Sequence, residues 1–143
     1  MRYMGLDLGN RTCGVAVSDV MGIIATGVET IRFKEKDLQR CLECVKIIFV
    51  DRRVDKIVMG YPLNMNGTKG PQSEYVLEFK QMLEDELKTE VILYDERLTT
   101  VEVNRVMISA DLSRNKRKEK VDTLAATLIL QSYLDSINRK KGN

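Results

Sequence analysis

The order in which β-type and helical patterns follow one another limits the fold of this chain more than any other feature. Tyr3 to Leu8 and Cys13 to Val17 are short apolar runs joined by the tight turn Gly9-Asn-Arg-Thr, which predicts an antiparallel hairpin. A third strand is expected within 24–31. From there the pattern alternates. An amphipathic helix over about 36–52 places Leu38, Cys41, Leu42, Val45, Ile48 and Phe49 on one face, and Lys56-Ile-Val-Met-Gly60 reads as a fourth strand. A Gly/Asn/Pro-rich segment, Gly60 to Pro71, leads to a helix over about 72–88 with the stripe Val76, Phe79, Leu83 and Leu87. Val91 to Asp95 is the fifth strand, Thr99-Thr-Val-Glu102 is a capping box opening another helix, and a final helix is expected over about 118–137. Three strands in meander order, followed by alternating strands and helices, predict an α/β fold: a five-stranded mixed sheet with helices on both faces.

A chain of 143 residues suits one domain, here 1–138 with a basic C-terminal tail over 139–143. No apolar stretch approaches the roughly 18 residues of a membrane span, and no leader pattern opens the chain, so a cytoplasmic protein is expected. Histidine is absent, which excludes Ser-His-Asp and Cys-His catalysis and His-ligated zinc. The three cysteines give no disulfide framework. Cys41-Leu-Glu-Cys44 falls on the apolar face of a helix, where packing explains it better than redox chemistry.

Acid chemistry therefore rests on Asp and Glu, and three acids stand in unusual places. Asp7 interrupts the apolar run Met4-Gly-Leu-Asp-Leu-Gly, Glu96 ends the apolar run after Val91, and Asp122 lies in a helical segment rich in small and apolar residues. Helical spacing puts Asp122 on one face with Ala125, Ala126, Ile129 and Tyr133. Each acid alone has a plain explanation: amides of the Gly9 turn for Asp7, Arg97 for Glu96, a helix N-terminus for Asp122. Ligands on open α/β sheets gather at the carboxyl ends of the parallel strands. If the first and fifth strands are neighbours, Asp7 and Glu96 converge there. Three converging carboxylates repel one another unless divalent cations compensate, and oxygen ligands favour Mg²⁺ or Mn²⁺. A pair of such ions serves phosphodiester hydrolysis.

Net charge is only +2, but its distribution is uneven. Ser113-Arg-Asn-Lys-Arg-Lys-Glu-Lys120 carries five basic residues against one acid and leads into Asp122. Arg114, Lys116, Arg117 and Lys118, with Arg11 in the first turn and Arg97 beside Glu96, are candidates for nucleic-acid backbone contacts.

The segments Gly5-Leu-Asp-Leu-Gly-Asn-Arg-Thr-Cys-Gly-Val-Ala-Val-Ser-Asp19, Gly60-Tyr-Pro-Leu-Asn-Met-Asn-Gly67, Asp95-Glu-Arg-Leu-Thr-Thr100 and Ser113-Arg-Asn-Lys-Arg-Lys with Val121-Asp-Thr-Leu-Ala-Ala126 resemble the YqgF family in order and register. That resemblance implies a ribonuclease H-like sheet with its second strand antiparallel. It implies Asp7, Glu96 and Asp122 as catalytic, metal-binding acids, with Mg²⁺ or Mn²⁺, two ions, as cofactor. It further implies a nuclease maturing the 5′ end of pre-16S rRNA, with Holliday junction resolution as the alternative. The expected partner is nucleic acid, structured RNA before branched DNA, with ribosome association, as a monomer or homodimer and without a membrane. Two other classes stand beside it: a non-catalytic nucleic-acid-binding factor, and nucleotide binding through a first phosphate loop like that of actin-like ATPases, against which the chain's length argues.

Overall fold

The computed structural model describes residues 1–62, 70–95 and 114–141, with the side chains of the last segment described from 123 to 139. Five strands form one sheet: β1 (Tyr3–Leu8), β2 (Thr12–Ser18), β3 (Ala25–Arg32), β4 (Lys56–Tyr61) and β5 (Val91–Asp95). Three helices are described, α1 (Leu38–Asp51), α2 (Pro71–Leu87) and α3 (Arg114–Lys141). The capping box at Thr99 and the helix expected after it lie outside the described residues.

The strand order is β3-β2-β1-β4-β5. β1 pairs antiparallel with β2 and parallel with β4, and β4 pairs parallel with β5. The antiparallel second strand follows from the three-residue connection over residues 9–11, too short for a crossover. The condition placed on the first and fifth strands is not met. β4 lies between them, which sets β1 and β5 about 10 Å apart at the usual strand spacing.

Side-chain alternation sends the two faces of the sheet into separate cores. Met4, Leu6 and Leu8 face α1 and α2 together with Cys13, Val15, Ile57 and Met59. Tyr3, Ala16 and Val58 face α3, where Ala126, Ile129, Leu130 and Leu134 are buried against them. The predicted stripes supply these faces: Leu38, Cys41, Leu42, Val45 and Ile48 of α1 are buried, as are Val76, Phe79 and Leu83 of α2. All three cysteines are free thiols. The thiol of Cys41 beside it, with burial, pushes the Cys13 thiol well above its ordinary range, so packing describes these residues.

α3 is longer than its apolar pattern suggested. It begins at Arg114, so the basic run is helical backbone rather than loop, and it continues to Lys141 through the basic segment at 139–141. Arg and Lys are good helix formers that extend a helix beyond its buried stripe.

Candidate active site at the carboxyl end of β1

Asp7 sits one residue before the end of the central strand and is half-buried. Neighbours in register explain how a carboxylate is accommodated there. On β2 its partner is Gly14. On β4, one step past the Leu6–Met59 pair brings Gly60 alongside. Glycines on both sides leave a notch around the carboxylate that a larger side chain would fill. The Gly9 turn does not satisfy this acid, because the Gly9 N–H donates to the Thr12 carbonyl at 2.7 Å. Among the described residues the Asp7 carboxylate makes neither a hydrogen bond nor an ion pair. Its oxygens are not among the buried polar atoms left without a partner, so solvent and solutes reach them, and an accessible oxygen donor on a rigid strand fits a hard cation.

Alternation puts Asp7 on the α3 side of the sheet with Tyr3 and Gly5. The helix runs back along β1. Tyr3 meets the ring of Tyr133 edge-on at 5.8 Å, and a Cβ on Gly5 would lie 2.7 Å from Leu130 Cβ and 2.8 Å from the Ala126 carbonyl. Two more strand residues advance about 6.6 Å, a little over four residues of helix. That brings the part of the α3 backbone containing Asp122 toward the level of Asp7; the Asp122 side chain lies outside the described residues. Glu96 and Arg97 also lie outside them, β5 being described as far as Asp95. Among the described residues no three Asp, Glu or Cys side chains gather into a metal-holding cluster.

The basic candidates divide in the same way. Arg11 stands on the β1–β2 turn, 73% exposed, with Glu35 at 3.6 Å, an exposed pairing that leaves its guanidinium open to solvent and to an incoming anion. Arg114, Lys116, Arg117 and Lys118 occupy the first turns of α3, and their side chains lie outside the described residues.

Sequence reasoning missed the first turn of α2. Ser73, fully buried, donates from Oγ to the Pro62 carbonyl and accepts the Gly70 N–H at 3.4 Å. Tyr75 donates to the Gly9 carbonyl at 3.1 Å. Burial, above all, pushes the Tyr75 hydroxyl up to about 12, so it remains a donor at any working pH. The serine had a signal, standing two residues after Pro71 where helix-opening side chains bind backbone. Tyr75 had none, because its partner is 66 residues away.

Comparison with known proteins adds to this geometry. The family described as RuvX, Holliday junction resolvase, matches residues 1–136. The chain belongs to the RuvX family. Relatives of this RuvX-family chain include one from Clostridium botulinum strain Hall, 53% identical over 139 residues, covering 97% of this chain and all of the relative. Another, from Clostridium tetani strain Massachusetts, is 54% identical over 140 residues, covering 98% and 100%. Both are described as candidate pre-16S rRNA nucleases. Among solved structures, RuvC of Thermus thermophilus matches with a TM-score of 0.58 at 13% identity, over 96% of this chain and 97% of that one. The Fowlpox virus resolvase in complex with Holliday junction DNA matches with a TM-score of 0.58 at 16% identity, over 96% and 99%. The RuvX-family fold is therefore RuvC-like, of the ribonuclease H type.

Proposed function

We propose that this RuvX-family chain is a metal-dependent nuclease that hydrolyses a phosphodiester at the 5′ end of pre-16S rRNA, with Asp7, Glu96 and Asp122 as the acids that hold the metal. The observation that carries the reading is the Asp7 carboxylate, half-buried between Gly14 and Gly60 at the carboxyl end of the central strand and without a hydrogen-bonding partner among the described residues. Near-full-length relatives above 50% identity, described as candidate pre-16S rRNA nucleases, support the choice of substrate.

Asp7, Glu96 and Asp122 would hold Mg²⁺ or Mn²⁺, two ions in this reading, whose charge would lower the pKa of a water and stabilise the leaving oxygen. The chain's own residues do the rest. Asp7 offers oxygen from the rigid centre of the sheet. Glu96 directly follows β5 in the sequence and would supply a second carboxylate. Arg11 and the basic run of α3 hold the phosphate backbone. Positive side chains in the first turns of a helix oppose its dipole, a cost that a bound polyanion relieves.

Holliday junction resolution is the second reading, favoured by the family's description and by the fold shared with junction resolvases. The test is cleavage of an end-labelled 5′-extended 16S precursor fragment in Mn²⁺ or Mg²⁺, by wild type and Asp7→Asn, against a four-way DNA junction. RNA cut only by wild type supports the proposal, and cutting of the junction alone moves it to the second reading. Binding of RNA without cleavage by either protein would leave a non-catalytic binding factor.

A further inference from the structure

We propose that Tyr75 is a positioning residue that, through the Gly9 carbonyl, fixes the turn presenting Arg11 to a nucleic-acid strand. The turn over residues 9–12 is held almost entirely by backbone. Gly9 N–H donates to the Thr12 carbonyl at 2.7 Å, Lys36 N–H to the Asn10 carbonyl at 2.7 Å, and Phe33 N–H to the Arg11 carbonyl at 3.0 Å. Among the described residues the Gly9 carbonyl is the one group in the turn held by a side chain from another layer, at 3.1 Å from the Tyr75 hydroxyl.

That side chain is well placed to act as a fixed post. Tyr75 is 8% exposed and sits among the buried residues between sheet and helices. Two residues earlier, Ser73 ties the same helical turn to the Pro62 carbonyl just past β4. The first turn of α2 thus joins the carboxyl ends of two adjacent parallel strands, β1 and β4, at the end where Asp7 stands. A hydrogen bond from a buried phenol restricts the turn more than solvent would. Arg11, exposed and paired only loosely with Glu35, then meets a phosphate at lower ordering cost.

The inference rests on the reading of the site as one that binds nucleic acid. It is tested by a double-mutant cycle on the full chain. The probe is a fluorescent single-stranded RNA from the 5′ end of the 16S precursor, bound in EDTA so that no cleavage intervenes. Wild type, Arg11→Gln, Tyr75→Phe and the double variant are compared by anisotropy, with KM and kcat then measured in Mn²⁺. Tyr75→Phe is expected to weaken binding and raise KM roughly threefold, a coupling typical of groups in one network, while kcat stays within about twofold. Arg11→Gln should cost several-fold in wild type and less than about twofold in the Tyr75→Phe background. Val76→Ala, which loosens α2 from its apolar side, lowers the melting temperature but leaves the cost of Arg11→Gln unchanged.

Additive effects of the two substitutions, or the same loss of coupling in Val76→Ala, overturn the inference. So does an Arg11→Gln protein that binds like wild type. In each of these cases the nuclease reading survives if wild type cuts and Asp7→Asn does not. If neither cuts while the cycle couples as expected, the positioning role stands and the nuclease reading falls.

Discussion

Asp7 is the residue on which the proposed chemistry turns. A half-buried carboxylate between two glycines, with no hydrogen bond from the described residues, makes no contact there that an amide of the same shape would lose. Asp7→Asn should therefore melt no lower than wild type in EDTA, while its cleavage rate falls by more than the roughly 10–100-fold typical of outer-shell partners of a metal. Paired melting curves and single-turnover assays check both halves. Asp19 is the opposite kind of acid. It accepts the N–H groups of Ile23 at 2.8 Å, Ile24 at 2.9 Å and Met21 at 3.2 Å, and these backbone bonds, Ile24 first, hold its carboxyl below its ordinary value of 3.8. A depressed folded-state value stabilises above the unfolded value, and that contribution is lost as pH falls below about 3.8 through the lowered one. Asp19→Ala should unfold more readily at neutral pH and lose part of the acid-side decline in melting temperature, read from melts over pH 2–7.

At the scale of elements, the decisive packing is α3 on the sheet. Gly5 makes it close, since any Cβ there would press on Leu130 and the Ala126 carbonyl, a backbone atom that cannot rotate away. Gly5→Ala is expected to destabilise by about 1–3 kcal/mol through overpacking, measured by urea unfolding, and to impair cleavage as well by moving the helix that carries Asp122. The far half of α3 is tied to the β2–β3 hairpin. Gln131 Nε2 donates to the Ile23 carbonyl, its Oε1 accepts the Ala25 N–H, and Asn138 Nδ2 donates to the Gly22 carbonyl. Most of these elements were legible, because each strand and each apolar stripe is a local pattern of period 2 or 3.6. The long α3 was legible only where its face is apolar. Its basic first turns carry no burial signal, and Arg114 to Lys118 read equally well as loop.

For the whole molecule, the proposed function makes folding, metal and nucleic acid linked equilibria. Mn²⁺ at about 100 times its dissociation constant should stabilise wild type by roughly 2.7 kcal/mol and Asp7→Asn far less, read as the shift in melting temperature on adding Mn²⁺. Mg-ATP should give no shift beyond that of the free metal, which separates this chain from the nucleotide-binding reading. Affinity for single-stranded RNA should fall with salt, and neutralising one of Arg114, Lys116, Arg117 or Lys118 should reduce the slope of log K against log salt by about 0.7. A fluorescence titration over a range of salt concentrations measures it.

The sequence by itself determined the kinds of element, their order, the two-faced sheet and the three acids in unlikely places, since all of these are properties of neighbouring residues or of one helical or strand period. The order β3-β2-β1-β4-β5 was decided in the tertiary structure, and it set β4 between the first and fifth strands, whose adjacency the local patterns had left open. Strand pairing is a contact between distant parts of the chain, so no local period encodes it. The same reason hid Gly14 and Gly60 as the flanks of Asp7 and Tyr75 as the support of Gly9. Each is an ordinary residue in its own segment and gains its role only from what the fold sets beside it.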